Sequence, residues 1–237
     1  MGTEDGDDLV GEVVERTLWA FPDVDLRDRP GVGQRSVAER ILVGWATPSD
    51  ALAREAAPGP VDASRLAGFT PARRQSFLTG RAVVGRLLGS LYPGSVAWTL
   101  DTAPGEGGAA GVGPLLVRGV PALASVAYAD GIVVAVAAAA NQASRIGVDV
   151  ERLDPARATE VAKSLGVPVD GALARWTLSH AVLKAGWHGR RADVGLVRIG
   201  GGTGRVEGSS MAFRLAEVDG PKGYTVGVAW QPTTRSR

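Results

Sequence analysis

The spacing of hydrophobic and polar positions along the chain predicts a protein that mixes helices with antiparallel strands. In "PARRQSFLTGRAVVGRLLGSLY" (71–92), apolar residues recur three and four positions apart, which predicts the longest helix. Two apolar runs flank Asp130-Gly131 within 122–140, a strong signal for a β-hairpin. The next run, "RIGVDVE" (145–151), predicts a further strand.

The remaining segments fit the same picture. "RIGGGTGRVE" (198–207) lies between two strand-like runs and has no Lys-Ser/Thr pair, which favours a hairpin loop over a phosphate-binding loop. The other predictions are a strand at 39–47, helices at 155–166 and 172–187, two or three strands through 224–230, a peripheral segment at 1–36 with a helix at 7–21 and a loop at 22–35, and a mobile Gly-, Pro- and Ala-rich loop at 101–114.

Composition narrows the class of protein. The 237 residues carry a net charge of +1, which gives no sign of a nucleic-acid-binding surface. The chain has no cysteine, so disulfides, thiolate metal sites and cysteine nucleophiles are excluded. The longest apolar run, 132–140, is far shorter than the ~20 residues of a membrane span, and the acidic first residues lack the basic start of a signal peptide. We therefore expect a cytoplasmic protein that binds neither nucleic acid nor membrane.

The segment "RWTLSHAVLK" (175–184) places three unusual side chains on one helix face. Trp176, His180 and Lys184 are spaced i, i+4 and i+8. On the strand at 145–151, Asp149 and Glu151 are two positions apart and share one face. Paired carboxylates suit a hard cation such as Mg²⁺, a lysine can hold a phosphate, and a histidine can act as a general base or bridge to a carboxylate.

Each of these signals also has an ordinary structural explanation. A D-x-E strand is more often a solvated face than a metal site. A single histidine on a helix is more often a surface residue than a catalyst, and Trp176 has the character of a core residue. The residues become a candidate site only in combination with other segments.

Four segments together resemble the 4′-phosphopantetheinyl transferase superfamily, and the larger pseudo-dimeric branch with the surfactin-type and enterobactin-type enzymes in particular. They occur in the same order as in that branch and span about residues 73–187. The segments are "RRQSFLTGR" (73–81, resembling R-R-x-x-F-x-x-G-R), "GVPALASVAYADG" (119–131, resembling G-x-P and G-S-I-S-H-S before a hairpin), "RIGVDVE" (145–151, resembling I-G-I-D-I-E) and "WTLSHAVLKA" (176–185, resembling W-x-x-K-E-A-x-x-K-A).

The resemblance implies an α+β fold of two pseudo-symmetric subdomains, each a small antiparallel sheet packed on a long helix, with the active-site cleft between them. The halves would be 1–144 and 145–237. The implied reaction moves phosphopantetheine from coenzyme A to a serine of an acyl or peptidyl carrier protein, with Mg²⁺ as cofactor. The implied roles are metal ligation for Asp149 and Glu151, Glu151 also being a candidate base, and phosphate or coenzyme A binding for Lys184, Arg74 and Arg81.

Three positions depart from the family pattern. His180 stands where the family has a metal-binding glutamate, Ser179 replaces a lysine, and Tyr128 replaces a histidine, while Ser125 keeps a serine near the cofactor. The changes remove positive charge where a diphosphate would lie and one oxygen ligand for Mg²⁺. Together with Glu151 and Lys184, His180 and Tyr128 are therefore the candidate catalytic residues.

Three functions follow from these residues. The first is phosphopantetheine transfer, impaired by the altered site. The second is a repurposed biosynthetic enzyme in which His180 runs acid–base chemistry (dehydration, cyclisation or isomerisation) on a carrier- or coenzyme A-linked substrate. The third is a non-catalytic homologue that binds a carrier protein. The resemblance further implies a monomer, and the composition suggests a role in secondary-metabolite biosynthesis.

Overall fold

The protein is α+β, with two antiparallel sheets and several helices. The computed structural model describes residues 32–94, 97–104, 114–187 and 193–233. In chain order, the described elements up to residue 139 are β1 (Val32–Ala38), β2 (Ile41–Ala46), α1 (Asp50–Glu55), α2 (Pro60–Arg65), α3 (Pro71–Leu91), β3 (Thr99–Thr102), β4 (Leu115–Arg118), β5 (Ala122–Ala129) and β6 (Ile132–Ala139). The later ones are β7 (Ala143–Arg152), α4 (Pro155–Leu165), α5 (Ala172–Ala185), β8 (Val197–Gly200), β9 (Thr203–Val206), β10 (Phe213–Val218) and β11 (Tyr224–Pro232).

Each sheet is built from one continuous part of the chain. The first sheet has the order β1-β2-β6-β5-β4-β3, and the second has the order β7-β11-β10-β9-β8. All the pairs between described strands are antiparallel. The chain therefore passes from the first sheet to the second between Ala139 and Ala143, at the turn that joins β6 to β7.

The two sheets pack face to face, and each carries a helix on its other face. Valines from both sheets, among them Val134, Val136, Val148 and Val228, form the core between them. On the outer face of the first sheet, Leu87 and other residues of α3 pack against β2, β5 and β6. On the outer face of the second sheet, α5 packs across β7 and β11. The molecule thus has four layers in the order α3, first sheet, second sheet, α5.

Local sequence explains the elements that carry the candidate site. Thr70 caps α3, since its side chain accepts a hydrogen bond from the backbone N–H of Arg73, and Pro71 follows at the first helical position. Gly131 closes the β5–β6 hairpin with a φ of 76°, a conformation that glycine adopts without strain. Alternation along β7 sends Val148 and Val150 into the core and Asp149 to the α5 face.

The structure confirms most of the predicted elements. These are the helix at 71–92, the strand at 39–47, the hairpin at 122–140, the strand at 145–151, and the helices at 155–166 and 172–187, each to within a few residues. The predicted hairpin loop at 198–207 is mostly strand, since β8 and β9 leave only Gly201 and Gly202 in the turn. No described helix is both long and apolar enough to cross a membrane.

Several predictions needed correction. The predicted loop at 22–35 is wrong at its end, because β1 begins at Val32 and pairs with β2. The predicted loop at 101–114 begins too early, since Asp101 and Thr102 belong to β3. In the described residues after α5 there are four strands rather than two or three, and the short helices α1 and α2 were not anticipated. The predicted helix at 7–21 lies outside the described residues, as does most of the 101–114 loop.

Candidate functional site

The candidate site lies where α5 crosses β7. The two elements approach closely because residue 147 is glycine: a side chain there would collide with the backbone of Ala181 and Ala185. Gly227 on β11 has the same relation to the backbone of Thr177 and Leu178. This close packing brings the helix face with Trp176, His180 and Lys184 onto the strand face with Asp149 and Glu151.

Asp149 is the centre of the site. It is 8% exposed, and its Oδ1 accepts a hydrogen bond from Lys184 Nζ at 2.6 Å. Its Oδ2 lies 3.5 Å from Nδ1 of His180, an ion-pair contact when the imidazole is protonated. One carboxylate therefore holds both the lysine and the histidine that the sequence placed on one helix face.

The surroundings of Asp149 change its acidity. Burial alone would raise the pKa of this carboxyl, but the Lys184 ammonium, with His180 acting in the same direction, outweighs burial. The pKa of Asp149 is therefore lowered from its ordinary value of 3.8. The carboxylate is therefore ionised at neutral pH.

The lowered pKa of Asp149 predicts an acid-sensitive contribution to stability. The folded state favours the ionised form of Asp149. The resulting contribution of Asp149 to the free energy of unfolding is therefore present above about pH 4 and is lost as the pH falls through the lowered pKa. We expect the difference in unfolding free energy between the wild type and Asp149→Asn to shrink on acidification. Urea unfolding at a series of pH values measures it, with Asp170→Asn as an exposed control. A difference that does not change with pH would contradict this account.

Lys184 also binds the backbone of β7, and Ser125 binds there from the other sheet. Lys184 Nζ donates to the carbonyl oxygen of Val148 at 2.9 Å, while the N–H of Val148 donates to Ser125 Oγ at 3.3 Å. In the described residues β7 pairs with β11 alone. The backbone N–H and C=O of Val148 therefore find their hydrogen-bond partners in Ser125 and Lys184 instead of in a neighbouring strand. Ser125, predicted to bind a cofactor, thus joins the two sheets beside Asp149.

Glu151, the second carboxylate on this face of β7, is bound by Trp176. The indole Nε1 of Trp176 donates to Glu151 Oε1 at 3.0 Å. The indole ring also faces the imidazole of His180, with 4.6 Å between ring centroids and 38° between planes. The tryptophan is therefore part of the site as well as of the packing around α4.

Mg²⁺, the cofactor that the resemblance implies, fits this set of donors poorly. Asp149 Oδ1 already binds an ammonium, Glu151 Oε1 already binds an indole N–H, and the third position offers an imidazole nitrogen where Mg²⁺ favours oxygen. Among the described side chains, no group of three or more His, Cys, Asp or Glu is arranged to hold a metal ion. The magnesium site stays a prediction from the sequence.

Tyr128 contacts α3 rather than α5. Its ring is partly exposed, with 45% of the residue accessible, but its hydroxyl reaches inward over Gly80, where a side chain would lie 2.8 Å from the hydroxyl oxygen. Burial of the hydroxyl raises the pKa of Tyr128, against the opposing effect of Arg81. The phenol therefore stays protonated at neutral pH, and it lies on the opposite side of the sheets from the Asp149 face.

Arg81 is enclosed by an ion-pair network. It is 4% exposed, and its Nε donates to Asp62 Oδ2 at 2.7 Å while its Nη2 donates to Thr102 Oγ1 at 2.8 Å. Asp62 is fully buried and also accepts from Arg65 and from the backbone N–H of Thr102. In this arrangement the guanidinium of Arg81 is bonded within the protein. Arg74, the other predicted phosphate ligand, is exposed in the first turn of α3.

Sequence reasoning did not find the partners of Arg81. Asp62 lies on α2, a helix of six residues, and Thr102 lies on β3, forty positions further along the chain. The only local signal was the Pro60-Val61-Asp62 start typical of a helix, which says nothing about an ion pair.

Neither a comparison of the chain with protein-family models nor one with curated proteins gives a match.

Proposed function

We propose that this chain is a phosphopantetheinyl transferase-type protein with an altered catalytic centre, which moves phosphopantetheine from coenzyme A to a carrier-protein serine at a reduced rate. The observation that supports this proposal best is the assembly of Asp149, His180 and Lys184 on one face by β7 and α5. The proposal extends to the domain plan: two pseudo-symmetric halves meeting near residue 145, with a substrate cleft along the β5 and β7 edges.

The residues can divide the chemistry among them. Asp149 orients His180 through Nδ1, which leaves Nε2 as the nitrogen that takes the proton of the carrier serine. The serine oxygen attacks the phosphorus next to the pantetheine arm, and the bond to the second phosphate of coenzyme A breaks. Lys184 contributes the positive charge that such a transfer requires near the phosphates. Charge from a single lysine is a weaker stabiliser than a full cationic site, which accounts for the reduced rate that we propose.

A second function is favoured by a specific feature of the site. Both carboxyl groups have hydrogen-bond donors within the protein, Lys184 for Asp149 and Trp176 for Glu151, so neither depends on a metal for a partner. Such a His–Asp pair suits acid–base chemistry on a carrier- or coenzyme A-linked substrate, such as dehydration, cyclisation or isomerisation. A non-catalytic carrier-binding homologue is the third possibility, and it has no observation of its own in its favour.

Binding of coenzyme A tests the first function at its first step. We expect calorimetric titration to detect binding by the wild type and binding at least about tenfold weaker by Lys184→Met, because a charge-assisted hydrogen bond contributes roughly 1.5–3 kcal/mol. Lys163→Met is the matched control, since Lys163 is an exposed lysine on α4. Equal affinity in Lys184→Met and the wild type, or no binding at millimolar coenzyme A, would contradict the proposed phosphate-binding role.

A further inference from the structure

Trp176 is the one side chain in the described site that contacts both Glu151 and His180. Its indole N–H donates to Glu151 Oε1 at 3.0 Å, and its ring faces the imidazole of His180 at 4.6 Å. The guanidinium carbon of Arg157, from α4, lies 5.1 Å from the centroid of the same indole ring. The indole is therefore held by a strand residue, a residue of its own helix and a residue of α4.

The three contacts constrain the indole more than packing alone would. A tryptophan in a core is oriented by shape, but the single N–H of an indole also fixes the ring when a neighbouring side chain accepts its hydrogen bond. Glu151 supplies that acceptor from β7. Because the imidazole of His180 faces the ring, a rotation of the indole would change the position of the imidazole relative to Asp149.

We propose that Trp176 is a positioning residue that couples Glu151 to His180. In this account Glu151 orients the indole, the indole orients the imidazole, and the imidazole keeps its Nδ1 on Asp149. Any effect of this coupling on turnover rests on the proposed function. The coupling itself is a structural property and holds whatever reaction the site performs. Glu151 then contributes to the site through Trp176, in a role different from the metal ligation and base catalysis that the resemblance implies.

Nuclear magnetic resonance can detect this coupling without any assay of activity. The chain has two histidines, so the ring-proton signals of His180 are assigned by their loss in His180→Gln. The indole N–H signal of Trp176 is assigned by its loss in Trp176→Phe. Glu151→Ala removes the acceptor, Glu151→Gln keeps an oxygen that can accept the N–H, and Glu39→Gln is a matched control in the exposed β1–β2 turn.

We expect Glu151→Ala to shift both the Trp176 N–H signal and the His180 ring signals, although no contact joins Glu151 to His180 in the described structure. Glu151→Gln should shift the His180 signals less, and Glu39→Gln should leave them unchanged. In the Trp176→Phe background, Glu151→Ala should no longer move His180. Should Glu151→Ala fail to fold, Glu151→Gln with and without Trp176→Phe carries the test.

Two results would overturn the proposal. One is a His180 spectrum unchanged by Glu151→Ala and Glu151→Gln. The other is a shift that persists undiminished in the Trp176→Phe background, because the coupling would then bypass the indole. Each result is independent of whether coenzyme A binds or a carrier protein is modified, so failure of the coupling and failure of the proposed function are told apart.

Discussion

Replacing Asp62 by alanine is expected to lower the free energy of unfolding by about 3–5 kcal/mol, because it leaves a buried charge without its partner. The Arg81 guanidinium that loses its carboxylate is 4% exposed and lies over the ring of Phe77, so water reaches it poorly. Thr102 loses an acceptor for both its backbone N–H and its hydroxyl. Urea unfolding measures the loss.

A double variant separates the lost charge pair from the lost packing. Asp62→Ala combined with Arg81→Met removes both charges, and we expect it to cost less than the sum of the two single changes, since neighbouring partners are not additive. Arg65→Ala is the comparison from the exposed side of the network, where the guanidinium is partly solvated. If Asp62→Ala lowered the free energy of unfolding by less than about 1 kcal/mol, or if the effects in the double variant were strictly additive, the ion-pair network would not stabilise the fold as we expect.

Replacing Asp149 by alanine is expected to reduce the rate of the proposed phosphopantetheine transfer by roughly 10²-fold or more, the usual cost of one charged contact at a reacting centre. The change leaves His180 without the carboxylate beside Nδ1, and it leaves Lys184 with the Val148 carbonyl as its remaining described partner. The rate is followed by the appearance of modified carrier protein with time.

The control for this variant is Asp170→Ala, which removes an exposed aspartate outside the site. We expect Asp170→Ala to keep the wild-type rate. Retention of half or more of the wild-type rate by Asp149→Ala would show that the Asp149 face is not where transfer occurs, even if the protein binds coenzyme A.

The parts of the site that the sequence could predict are those set by local spacing. His180 and Lys184 share a helix face and Asp149 and Glu151 share a strand face because helix and strand periods dictate it, and the structure packs one face on the other. The periods do not predict which partner each of these side chains binds. The bonds from Trp176 to Glu151 and from Lys184 to the Val148 carbonyl depend on how closely Gly147 lets α5 approach, and no sequence period encodes that distance.

The surroundings of Arg81 show the same limit more strongly. The spacing of α3 indicated a helix with Arg81 in it, and the structure confirms the helix. Whether a helix arginine faces solvent or a buried carboxylate depends on residues far away in the chain, here Asp62 and Thr102. Tyr128 is similar, because the lack of a side chain at Gly80 on α3, rather than any feature of β5, makes room for its hydroxyl.

The central proposal is that this site transfers phosphopantetheine. The direct measurement is intact mass spectrometry of a panel of apo carrier proteins incubated with the protein, coenzyme A and Mg²⁺. We predict a gain of the phosphopantetheine mass on at least one carrier, absent when the Asp149→Ala variant replaces the wild type. No gain on any carrier that a known transferase modifies in parallel would contradict the claim and favour acid–base chemistry or carrier binding instead.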